Sequence, residues 1–206
     1  MPTSRVPPPS VLLPRAVLPA APALLLAGVV LMAAPDAWTV AHLVFLGGTL
    51  LMLPVGAVLH GLLDGAGWLR PAGTALTTVG ALALAGQFVL DFAVRQLAGD
   101  ADAARSAMFD RLQESPVFAL IFYSAGPALL FTGLALSGLA MVRTRPALRR
   151  PGWVLVAGTL VMAAARIVEQ RIVEIVGLGL ILAALALVAH RWTAVPHRAE
   201  HSRAAA

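Results

Sequence analysis

Apolar residues fill most of the chain in long blocks, separated by short polar segments instead of alternating with polar positions. The blocks fall at 16–34, 37–62, 72–97, 116–142, 152–168 and 172–191. A helix needs ~20 apolar residues to cross a hydrocarbon core of about 30 Å. The pattern therefore predicts an all-α fold, a polytopic transmembrane bundle of six helices occupying residues 15–192. Flanking it, a Pro-rich tail (1–14) and a polar tail (193–206) are expected to be disordered.

Punctuation supports most of these boundaries. Pro35 and Asp36 precede the second block, and Trp38 stands where interfacial aromatics collect. DGAGWLRP separates the second block from the third. Ser115 and Pro116 read as a capping hydroxyl followed by a proline at the first helical position. RTRPALRRPGW parts the fourth block from the fifth. The last two blocks form one apolar run from 152 to 191, interrupted only by RIVEQRIVE. An unbroken helix there would be about 60 Å long, twice the bilayer core, so a hairpin is expected between 168 and 172. Between helices three and four lies the long polar stretch GDADAARSAMFDRLQES. Its Ala101, Ala104, Met108 and Leu112 recur at helical spacing and predict a short amphipathic helix on the membrane surface. The first block, preceded by Arg5 and Arg15, also has the outline of a signal peptide, but LMAAPDA lacks a good cleavage site directly after the core.

Composition agrees: 59% of residues are apolar and 12% charged, where a soluble domain carries roughly a quarter charged. All fifteen basic residues are Arg, which points to a GC-rich genome, and the general character resembles small multi-span membrane proteins of GC-rich bacteria. The net charge of +5 reflects topology. With both termini cytoplasmic, six spans put Arg5, Arg15, Arg70, Arg143, Arg145, Arg149, Arg150, Arg191, Arg198 and Arg203 inside. Only Arg95, Arg105, Arg111, Arg166 and Arg171 fall outside, and this bias favours six spans of the cytoplasmic membrane with both termini inside. No basic stripe with interleaved aromatics points to nucleic acid. The chain has no Cys, which excludes disulfides, thiolate nucleophiles and Cys-ligated metal centres.

Small and polar residues recur every three or four positions on three helices. They are His42, Thr49, Gly56 and His60 on helix two; Gly73, Thr77, Gly80, Gln87, Asp91 and Arg95 on helix three; and Tyr123, Pro127, Gly133 and Ser137 on helix four. Such seams pack helices together in a bilayer, so these three helices are expected to meet. The topology brings His42, Gln87, Asp91, Tyr123, Arg166 and Glu174 to the outer side, where they form a candidate pocket for a small ligand or proton. The competing expectation is that Asp91 and Arg95, one turn apart, pair at the lipid–water boundary and do no more.

Other constellations are weaker. His42 and His60 lie about 27 Å apart along one helix and cannot share a metal. A bis-His haem or quinone site would need His60 with His190 at the inner side. Asp64 and Asp91 fall on opposite sides, against paired-Asp hydrolysis. No Walker loop, HExxH, GxSxG or dinucleotide fingerprint occurs, so nothing points to an enzyme, a cofactor or a metal. Arg-Pro loops after helices two and four hint at a two-helix internal repeat. The principal expectation is a membrane protein that binds or passes a small ligand or proton. The alternative is an interaction or regulatory subunit whose seams fit a partner protein or a second copy, the lipid bilayer being the surroundings in both cases.

Overall fold

The computed structural model describes residues 9–34, 36–98, 102–168 and 170–191. These residues form α1 (Pro9–Leu31), α2 (Trp38–Leu62), α3 (Leu69–Ala98), α4 (Asp102–Gln113), α5 (Pro116–Thr144), α6 (Arg149–Val168) and α7 (Arg171–Arg191), with no strand among them. Helices α2, α3, α5 and α7, and α6 counted with the 3-10 turn at Pro146–Leu148, are each long and apolar enough to cross a membrane, whereas the apolar part of α1, Arg15–Leu31, is shorter. The chain is thus an all-helical bundle with five helices of membrane-spanning length.

Several boundaries differ from the sequence expectation, and prolines account for most of the differences. Helix α1 begins at Pro9, inside the segment expected to be a tail, and ends at Leu31 instead of 34; residues 1–8 and 192–206 lie outside the described residues. Helix α3 begins at Leu69 and takes Pro71 into its first turn, and α6 begins at Arg149 and takes in Pro151. A first-turn N–H has no helical partner, so a proline there forfeits nothing. Ser115 precedes α5 in extended geometry, but its hydroxyl makes no capping hydrogen bond; Pro116 alone accounts for the start. The chain turns between Val168 and Arg171 without Gly or Pro, and α6 and α7 pack side by side.

The six long helices form a closed ring. Each packs on its neighbours in chain order, with α5 following α3, and α7 closes back onto α1. This corrects the expectation that helices two, three and four share one junction: α3 stands between α2 and α5, which scarcely meet. The seams nevertheless lie at interfaces. On α3, Gly73, Thr77 and Gly80 are buried, and a Cβ added at Gly73 would lie 2.8 Å from Ser137 Oγ of α5. At Gly80 it would be driven into the backbone of Leu130. Gly138 with Gly152 joins α5 to α6 in the same way, and Gly158 with Ile181 joins α6 to α7. Absent side chains let backbones approach closely, which is how helices associate where lipid removes the hydrophobic drive.

Inside the ring, Met52, Val55, Leu59, Leu130, Leu134, Leu155, Ile181 and Leu185 are buried. Outward-facing positions such as Val40, Leu43, Leu50, Val79, Leu82, Val89 and Leu160 are also large and apolar, a surface that suits lipid better than water. Helix α4 is mostly exposed. Met108, Phe109 and Leu112 are half-buried, but Ala104, expected on the same stripe, is exposed, and Ala101 lies outside the described residues.

Candidate functional site

Antiparallel neighbours bring alternate helix ends together, and at the His42 end all six ring helices line one cavity of about 330 Å³. Its apolar wall includes Val29, Phe45, Leu84, Phe88, Phe131 and Met162. Its polar groups are His42, Gln87, Asp91, Arg166, Arg171 and Glu174. A mostly apolar hollow of this size with a few convergent polar groups is the usual form of a small-molecule site.

Asp91 is the centre of the polar wall. It is only 6% exposed and accepts a hydrogen bond from the Tyr123 hydroxyl, 3.0 Å from its Oδ1. Its Oδ2 lies 3.9 Å from His42 Nε2. The Nδ1–H of His42 donates to the Trp38 carbonyl at 2.8 Å. Because a carbonyl can only accept, Nδ1 carries the hydrogen and Nε2 is the nitrogen that gains or loses a proton opposite the carboxylate. Two titratable groups thus face each other across a gap that one proton can turn into an ion pair.

Aromatic side chains fix this arrangement. The Trp38 and His42 rings stack with centroids 3.7 Å apart, and the Phe88 and Phe92 rings stand T-shaped to the imidazole. The Arg95 guanidinium lies 4.5 Å from the Trp38 ring centroid, a cation–π contact. The expected Asp91–Arg95 boundary pair is therefore not formed: each has other partners, and Asp91 turns into the bundle.

The fold draws together His42, Gln87, Asp91, Arg166 and Glu174, whereas Tyr123 reaches Asp91 from behind and lines a neighbouring groove between α5 and α6. Gln87 Oε1 is buried with no hydrogen-bond partner among the described residues, so the cavity wall carries an unsatisfied acceptor. Arg166 is exposed and stands at the rim with Arg171 and Glu174. Trp38, expected at the membrane interface, instead stacks on His42, and Phe45, Phe88 and Phe92 join the site without having been expected there. The spacing of Phe45 three residues after His42, of Phe88 three before Asp91 and of Phe92 four after Phe88 is the signal the sequence offers.

Tyr123 owes its position to an irregular turn. Pro127 has no N–H to give the Tyr123 carbonyl, and its ring would strike that carbonyl in a regular helix. The backbone widens instead into a π-helical stretch over Ala119–Ala125, where the Gly126 N–H reaches back to Ile121, five residues away. Wide turns of this kind are frequent at functional sites.

At the His60 end the side chains serve other purposes. His60 Nδ1 is 2.9 Å from Thr74 Oγ1 of α3. His190 is exposed on α7, with α1 standing between α7 and α2. The arrangement needed for a His60–His190 haem is therefore not present. Asp64 pairs with Arg70 across the loop whose Gly65 and Gly67 take positive φ. Arg145 donates to the Leu62 carbonyl and Arg191 to the Ala147 carbonyl, tying this end together. Among the described residues, no group of three or more His, Asp and Glu is placed to hold a metal ion. Compared with family models, curated proteins and solved structures, the chain matches none of them.

Proposed function

We propose that this chain is an integral protein of the cytoplasmic membrane that crosses it six times with both termini inside, and that the cavity at its outer end binds a small ligand. The observation that carries the reading is the convergence of all six ring helices on one hollow, with Asp91 buried between Tyr123 and His42 in its wall. Ionisable groups inside a bundle of membrane length are rare and commonly belong to ligand or ion sites.

Toward the His60 end Thr49, Met52, Thr77, Leu130, Leu134 and Ile181 are buried, which favours a blind binding site over an open conduit. The ligand this wall fits has an apolar body against Phe45, Phe88 and Phe131. Its polar end donates to the Gln87 carbonyl and approaches the Asp91–His42 pair. Helix α4, rich in charge and mostly exposed, is assigned to the outer membrane surface.

A thermal-shift screen of small amphiphiles in detergent tests the reading. A ligand present at 100 times its Kd stabilises the fold by about 2.7 kcal/mol. The shift seen with wild type should be lost in Gln87→Leu and in Asp91→Asn. A shift that persists unchanged in both variants would place the ligand elsewhere.

A further inference from the structure

Beside the cavity, α5 and α6 do not stay together along their whole length. They touch through backbone at the His60 end, where a Cβ on Gly138 would lie 2.8 Å from the Gly152 carbonyl oxygen. Toward the His42 end a groove of about 440 Å³ opens between them, facing the outside of the ring. Pro127, Phe131 and Arg166 line both this groove and the cavity, so the two are neighbours across one wall.

The groove has a direction. Among the described residues, Arg166 is the one charged residue lining it, and Tyr123 and Ser124 stand at its outer end. From there the lining passes to Ala128, Ala163 and Leu160, and ends near Ala135 and Thr159. Thr159 is two helical turns from Arg166, about 10 Å nearer the bundle's middle. A polar, cationic outer end with an apolar trough pointing toward the midplane is the polarity of a lipid in the outer leaflet. A guanidinium suits phosphate oxygens, to which it offers two parallel N–H donors. The volume accommodates an acyl chain but is far too small for a partner helix, whose diameter with side chains is about 10 Å.

We infer that the groove between α5 and α6 binds one anionic phospholipid of the outer leaflet, its head group on Arg166 and one chain along Ala128, Phe131 and Ala163. The inference rests on the membrane orientation proposed above and is independent of what fills the cavity.

Native mass spectrometry of the full chain, released from detergent holding equimolar phosphatidylglycerol and phosphatidylcholine with identical chains, tests it. One phosphatidylglycerol per chain should be retained, with about tenfold preference over phosphatidylcholine. Arg166→Gln should bring that preference close to unity. Filling the trough with Ala163→Phe, or from the facing helix with Ala128→Leu, should abolish retention while helix content by circular dichroism is unchanged. Gln87→Leu, which alters only the cavity, should leave retention as in wild type. Equal retention of the two lipids, or a preference that survives Arg166→Gln, would overturn the site. Loss of retention in Gln87→Leu would move the lipid into the cavity and overturn it equally.

Discussion

Asp91 shows how much a single residue's surroundings decide. On a helix whose last turn is at Ala98, a carboxylate seven residues from the end has the choice of turning out to the boundary or in to the bundle. It turns in toward Tyr123, which donates a hydrogen bond, and His42, whose Nε2 faces it, while Arg95 lies over the Trp38 ring. Hydrogen bonds between membrane helices average roughly 0.6 kcal/mol and reach about 1.7. Tyr123→Phe should therefore cost on the order of 1 kcal/mol in a detergent-unfolding titration, and a double-mutant cycle with Asp91→Asn should show coupling of that size. Additive single effects would mean that the two side chains do not interact in the folded protein. Trp38→Leu removes both the stack on His42 and the seat of Arg95, and should destabilise by more than Tyr123→Phe in the same titration.

At the scale of helices, the interfaces depend on residues with no side chain at all. Gly80 meets the Leu130 backbone, so Gly80→Ala should destabilise by about 1–3 kcal/mol through overpacking. Gly179, with no neighbour within 4 Å of an added Cβ, provides the contrast. Gly179→Ala should be neutral or stabilising by up to about 1 kcal/mol, because alanine is the better helix former. Comparable losses at both positions would contradict the packing described. The π-helical stretch gives a second test: Pro127→Ala permits a regular helix through Tyr123, and should weaken the Tyr123–Asp91 coupling without touching either residue. The long helices and the positions of their glycine seams were legible from hydrophobic blocks and three-to-four spacing, because both depend on local periodicity. The π turn was not, since Pro127 inside an apolar run reads equally as a kink or a tolerated proline. Nor was the ring order, since a seam shows that a helix has a partner but not which one, and so helices two and four were wrongly expected to meet. The pocket residues were gathered by topology alone, whereas the aromatic stack that orients His42 required the structure.

For the whole molecule, the proposed membrane orientation makes the cavity at the His42 end of the ring open outward. The absence of cysteine from the chain makes every introduced thiol a clean reporter. Loop positions establish sidedness: Gln170→Cys should react with a membrane-impermeant maleimide from outside the cell, and Ala147→Cys only after the membrane is opened. The most direct measurement places the thiol in the cavity itself, with Gln87→Cys compared against Ala81→Cys, a buried position further down the same helix. Intact cells treated with the impermeant reagent should label Gln87→Cys and spare Ala81→Cys. A Gln87→Cys protein that reacts only from the cytoplasmic side, or not at all until the protein is unfolded, would contradict an outward-opening cavity.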